Sequence, residues 1–299
     1  MTTNSIQSDG SGARGVWSWW PLRFLVFFFV LLTVYAGSQV LVIIVAPKWH
    51  LAAPNIVQAV GGLLTIAVTI LVYYGLVRWM ERRAPNELGL SRAVPQVLGG
   101  ALLGIVLFSA VYAVLWAMGA ATFKGFGTAD GLTAALGMAL MAGVCEELIF
   151  RGAVYRLLEE GFGTAVALIL SGVLFGLLHA GNPGATLAST TAIALEAGIL
   201  LAAAYALTRS LWLPIGLHFG WNFTEGGIFG AAVSGHANKG LIDAPISGAA
   251  LMTGGKFGPE ASLPAVTICV VAAIVILVLA AQRGEWKPIR FRLRVAGSA

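Results

Sequence analysis

Over 299 residues the chain is 58% hydrophobic and only 10% charged, and its mean hydropathy is +0.87. No soluble globular domain has that balance, so the class is a polytopic membrane protein. The net charge of +5 comes from 18 Lys and Arg against 13 Asp and Glu. These basic residues form no groove-sized patch and accompany no recognisable binding module, which sets aside nucleic acid as a partner.

Residues 1–20 are polar and rich in Gly and Ser, and are expected to be a disordered cytoplasmic tail. Apolar runs of the roughly 20 residues that a bilayer requires then fall near 22–45, 57–79, 97–119, 132–158, 164–180, 186–208, 212–232 and 263–281. The expected fold is all-α, a membrane helix bundle of about eight spans, because open sheets leave backbone unsatisfied in lipid. The fifth run is short, so seven spans is the alternative. Trp17, Trp19, Trp20, Trp49, Trp79, Trp212 and Trp286 stand at the span ends, where indoles anchor at the interface.

With the N-terminus inside, the cytoplasmic side carries Arg14, Arg23, Arg78, Arg82, Arg83, Arg92, Arg156, Arg209, Arg283, Lys287, Arg290, Arg292 and Arg294. The outer side carries only Lys48, Lys124, Lys239 and Lys256. That asymmetry places both termini in the cytoplasm. The short loops and Ala/Gly-rich composition favour a bacterial inner membrane.

The regions divide as 21–131 (three spans), 132–232 (a core bearing the chemistry), 233–262 (an outer loop) and 263–299 (last span and basic tail). In the first region Gly61-Gly62 and Gly99-Gly100 with Gly104 read as small-residue helix contacts. The link from Glu81 to Leu90 reads as a short cytoplasmic turn. The basic tail from Arg283 to Arg294 would favour anionic inner-leaflet lipid. Cys145 and Cys269 both fall in spans with no metal-type spacing and read as small core residues.

The fourth run contains Glu146-Glu147 and Arg151. A charged residue at mid-span costs about 2.5–3.5 kcal/mol on insertion scales, so such residues need a reason. At 100° per residue Glu147 and Arg151 share a face and can pair, which leaves Glu146 unpaired within its own helix. An unpaired carboxylate in a low-dielectric site is how a general base or acid is made. A structural Glu–Arg contact explains the pair equally well. The helix is expected to run on through Tyr155 to Glu160 as an amphipathic turn emerging into the cytoplasm, and to stop at Gly161-Phe162-Gly163.

Glu146 lies 16 residues before Phe162 and His179 lies 17 after it, so an antiparallel pair brings both to one level, roughly 25 Å from the turn. In the seventh run His218, Asn222 and Glu225 share one face, which must point inward or into water. Polar glue between helices is the plainer explanation of that face. Glu196 is the single charge inside the sixth run, while His236 and Asp243 in the outer loop read as solvated bystanders.

Three motifs stand in order: Glu146-Glu147 through Arg151, Phe175 through His179, and His218 through Asn222. Together they resemble the CPBP family of CAAX prenyl proteases and bacteriocin-processing or self-immunity proteins, also called Abi or type II CAAX endopeptidases. The resemblance covers about residues 132–225 and includes the lead-in Ser210 to Ile215; Glu196 departs from it. It implies an eight-helix intramembrane endopeptidase. Glu146 would take a proton from a water that His179 helps position, His218 and Asn222 would stabilise the oxyanion, and Glu147 and Arg151 would support the site.

Family members have been described both as metalloproteases and as metal-independent glutamate proteases. No HExxH is present, and no cofactor is firmly implied. If zinc were held, Glu146, His179 and His218 would be the ligands. The implied partner is a peptide or protein substrate, prenylated or otherwise membrane-associated. Two further readings stand beside this one. The first is a non-proteolytic scaffold or self-immunity protein. The second is a proton-coupled transporter, which the lack of an internal repeat disfavours.

Overall fold

The computed structural model describes residues 16–45 and 54–293. Arg14, Lys48, Trp49, Arg294 and most of the expected N-terminal tail lie outside the described residues.

The chain is a helical bundle. Helix α1 is Trp20–Val45, and α2 is Pro54–Leu76, widening into a π-helical end over Val77–Glu81. Helix α3 is Ala93–Ala117 and α4 is Leu132–Phe162. Then come α5, Thr164–His179, and α6, Leu187–Thr208. Helix α7 is Trp212–Phe223 with a wide turn over Thr224–Ile228, and α8 is Leu263–Gln282.

All eight apolar runs are therefore helices, and among the described residues six are long and apolar enough to cross a membrane. The two shorter ones are α5 and α7. At 16 residues α5 reaches roughly 24 Å. The seventh run ends at Ile228, short of 232, because the chain turns back at Gly230 with φ 63°. Large exposed apolar side chains such as Leu63, Leu71, Leu98 and Val271 line the outside, as suits an integral membrane protein.

The tightest contact joins α3 to α7. An added Cβ on Gly100 or Gly104 would strike the backbone carbonyls of Leu213 and Leu217. Reciprocally, one on Gly216 or Gly220 would strike those of Val97 and Ala101. Only glycine allows two helix backbones this close. On α7 the pair Gly216 and Gly220 lies about half a turn from His218 and Asn222, so the glycine ridge fixes the helix while its polar face points away.

Two regions differ from the sequence expectation. The turn around Glu159 does not emerge into solvent: Arg156 and Glu159 are buried. Arg156 binds Glu81 at 2.8 Å, and Arg23 binds Glu81 at 3.3 Å and Glu160 at 2.6 Å. Tyr73 and Arg83 both reach Glu87, and Arg156 of α4 lies 3.9 Å from it, so the link after α2 is clamped to α4 rather than free.

The basic tail is also docked. Lys287 binds Glu159 at 2.7 Å, the Arg290 and Arg292 amides donate to the carbonyls of Phe162 and Gly161, and Gly163 (φ 84°) packs on the Pro288 carbonyl. Of these tail charges Lys287 is the one paired with an acid, Glu159, among the described residues.

The outer loop folds inward too. Gly125–Phe126 (β1) pairs antiparallel with Ile242–Asp243 (β2), and Ser262 caps α8 through the Ala265 amide. His236 and Asp243 are exposed, as expected of bystanders.

Candidate active site

Helix α4 changes pitch at the acidic motif. It is α-helical over Leu132–Glu147, π-helical over Leu148–Tyr155, and α-helical again to Phe162. The expected ion pair forms across that junction, with Arg151 Nη1 donating to Glu147 Oε1 at 2.8 Å and both side chains fully buried. Helix α6 is likewise π-helical over Ala194–Gly198, and Arg151 Nη2 donates to the carbonyls of Ala197 and Gly198 at 2.8 and 3.1 Å. One arginine thus ties α4 to α6. Wide turns of this kind free backbone carbonyls and recur at functional sites.

Glu147 has a second partner: His218 Nδ1 lies 2.9 Å from the same Oε1. A carboxylate can only accept, so Nδ1 carries the hydrogen and Nε2 is left for the cavity. His179 is fixed in a similar way. Its Nδ1 donates to the Phe175 carbonyl at 2.8 Å, which leaves Nε2 with its lone pair free.

The Phe175 ring is the hub between these groups. It lies 4.7 Å from the His179 ring, 6.4 Å from His218 and 4.8 Å from Phe150, and the Arg151 guanidinium sits 4.7 Å from its centroid. That explains why a phenylalanine precedes the histidine by one helical turn: it carries the guanidinium and positions both imidazoles.

His179, His218 and Asn222 line one cavity of about 20 Å³. That volume holds about one water. Glu146 is half-buried and is not among the lining residues, but its charge acts on both His218 and Arg151. Its Oε2 is buried without a partner, as the reading of an unpaired carboxylate anticipated.

Sequence reasoning did not reach three further cavity residues: Trp221, Ser234 and Glu260. Glu196, noted only as an unexplained charge, lines the cavity as well. Glu225, on the expected polar face, is completely buried behind it. For Glu260 no sequence signal was available, because a carboxylate just ahead of a span looks like an interfacial residue.

The possible zinc set fares differently. Among the described residues no group of three His, Cys, Asp or Glu side chains is placed to hold a metal ion. Glu146, His179 and His218 form no common ligand group among the described residues.

Residues 128–224 match the family of Rce1-like type II CAAX prenyl endopeptidases. Over that segment the chain is similar to the CAAX protease domain of the CPBP family. This Rce1-like segment runs from just before α4 into the end of α7 and contains Glu146, Glu147, Arg151, Phe175, His179, His218 and Asn222. Glu225 and Glu260 lie beyond it. No curated protein and no solved structure was found to match the chain.

Proposed function

We propose that the protein is an intramembrane endopeptidase that hydrolyses a peptide bond near the C-terminus of a prenylated or otherwise membrane-associated peptide or protein. Glu146 is the general base and takes a proton from the attacking water. His179, with Nε2 free, holds that water, and Asn222 and His218, the latter as an imidazolium whose Nδ1–H is held by Glu147 and whose Nε2–H faces the cavity, donate to the oxyanion of the tetrahedral intermediate. Glu147 and Arg151 position His218 and act through it. No step is routed through a metal.

The observation that carries this reading is the convergence of His179, His218 and Asn222 on a cavity with room for one water, inside the segment that matches the endopeptidase family. Both termini face the cytoplasm in this reading, on the charge asymmetry of the loops, and the membrane is a bacterial inner membrane.

The test is cleavage of a fluorogenic farnesylated CAAX-type peptide by detergent-purified protein, wild type beside Glu146→Ala, each with and without a strong zinc chelator. Cleavage that survives chelation and disappears in the variant is the expected result. Cleavage abolished by the chelator would return the metal to the mechanism. A wild type that cuts neither this substrate nor any member of a peptide library would leave the non-proteolytic scaffold.

A further inference from the structure

Three carboxylates outside the family's motifs are gathered at one wall of the site cavity. Glu196 comes from the wide turn of α6, Glu225 from that of α7, and Glu260 from the Pro259–Ala261 turn ahead of α8. They are 2%, 0% and 3% exposed. Glu196 and Glu260 line the cavity together with His179, and Glu225 Oε1 accepts the Glu260 amide at 3.4 Å.

Among the described residues no salt bridge reaches Glu225 or Glu260, and Glu225 Oε2 is buried without a partner. A second observation points at a ligand in the same cavity. The Trp221 indole Nε1, on a side chain 4% exposed, lines it and has no acceptor. A buried donor of that kind calls for an oxygen that arrives with substrate or water.

Three adjacent buried carboxylates cannot all be ionised, so the group must hold protons. The groups facing Glu260 are His179 of α5, Glu196 of α6, Glu225 of α7 and Cys269 of α8. In its turn outside the span, burial pushes the Glu260 carboxyl above the usual carboxylate range, against the opposing pull of Ser234, His179 and a hydrogen bond with Glu225. Gly258 and Pro259, which carry Glu260, also form part of the wall of an outer depression of about 620 Å³. Glu260 therefore lines the site cavity while the two residues before it line the outer depression.

We propose that Glu260, supplied by the outer loop and backed by Glu225, is a further catalytic residue that donates the proton required by the departing amine. The inference rests on the endopeptidase reading. Water adds to the carbonyl carbon and gives a proton to Glu146, and the tetrahedral intermediate collapses with its C–N bond breaking. The amine nitrogen takes the Glu260 proton. Solvent then reprotonates Glu260, and Glu146 releases its proton, so the balance is one water consumed for one acid and one amine formed.

The experiment compares wild type with Glu260→Gln on two substrates of one sequence, an amide and an ester. An ester leaves without prior protonation, so loss of a proton donor spares it. The expected result is a fall in kcat for the amide of about 100-fold or more, with KM and ester hydrolysis unchanged. Equal loss on both substrates, or loss on neither, overturns the proposal.

Infrared spectroscopy of the same two proteins supplies a readout independent of turnover. Glu260→Gln is expected to lose intensity from the protonated-carboxyl C=O band, and an unchanged band overturns the proposal. If wild type hydrolyses neither substrate, the endopeptidase reading falls and takes the proton donation with it. An altered band would then report the protonated carboxyl alone.

Discussion

Glu147 Oε1 accepts from two residues at once, Arg151 on its own helix at 2.8 Å and His218 on α7 at 2.9 Å. The shared oxygen makes the ion pair a means of orienting an imidazole as well as a helix contact. Removing one member leaves the other charge buried. Glu147→Leu is expected to cost about 3–5 kcal/mol, seen as a lower Tm in detergent. The double variant Glu147→Leu with Arg151→Met should recover most of that stability and still lack activity, because His218 has lost the acceptor that holds its Nδ1–H. Recovery of cleavage in the double variant would show that the orientation of His218 is irrelevant.

Glu146 should behave in the opposite way. Among the described residues no salt bridge holds it and its Oε2 is unpartnered, so Glu146→Gln removes no ion pair described there. Tm is expected to stay near wild type while cleavage drops by about 100-fold or more. Thermal melts and turnover on the same samples separate the two effects, and a large fall in Tm would mark the residue as structural.

The glycine ridge offers a test of positioning from a distance. At Gly220 a Cβ would strike the Ala101 carbonyl, whereas at Gly99 nothing lies within 4 Å. Gly220→Ala is expected to cost about 1–3 kcal/mol through overpacking and to lower activity by shifting His218 and Asn222. Gly99→Ala should be silent in both assays. Equal effects at the two positions would refute the close α3–α7 approach.

Glu159 gathers Tyr155, Thr164, Arg209 and Lys287 at the helix ends. Arg209, outside the spans, is held charged even more firmly than usual by Glu159 and Glu285, despite the opposing effect of burial. Glu159→Gln should loosen the tail and speed hydrogen exchange at the Arg290 and Arg292 amides, which donate to Phe162 and Gly161. Lys287→Ala should matter less, since its side chain is 39% exposed and a pair of that kind is worth about 0–1 kcal/mol. If both variants exchange like wild type, the tail does not depend on this network.

Much of the bundle was legible before any coordinates, for a simple reason. Lipid forces each span to be a continuous apolar helix, so the eight runs mark eight helices to within a few residues at most ends. The Glu147–Arg151 pair, the unpartnered Glu146 oxygen and the inward face of His218 and Asn222 followed from helical periodicity and the cost of charge in lipid. The buried clamp of Arg23, Glu81, Arg156 and Glu160 did not, because charges at span ends look alike whether they meet solvent or one another.

The sequence by itself determined the helices, their polar residues and the motifs shared with Rce1-like endopeptidases, since these depend on local pattern and on the solvent around each span. Only the tertiary structure decided which polar residues meet. The wide turns in α4, α6 and α7 redirect side chains away from regular α-helical spacing. The outer loop brings Glu260 to the cavity from 81 residues beyond His179 in the chain (260 − 179). Such meetings are fixed by packing between distant segments, which no local periodicity encodes.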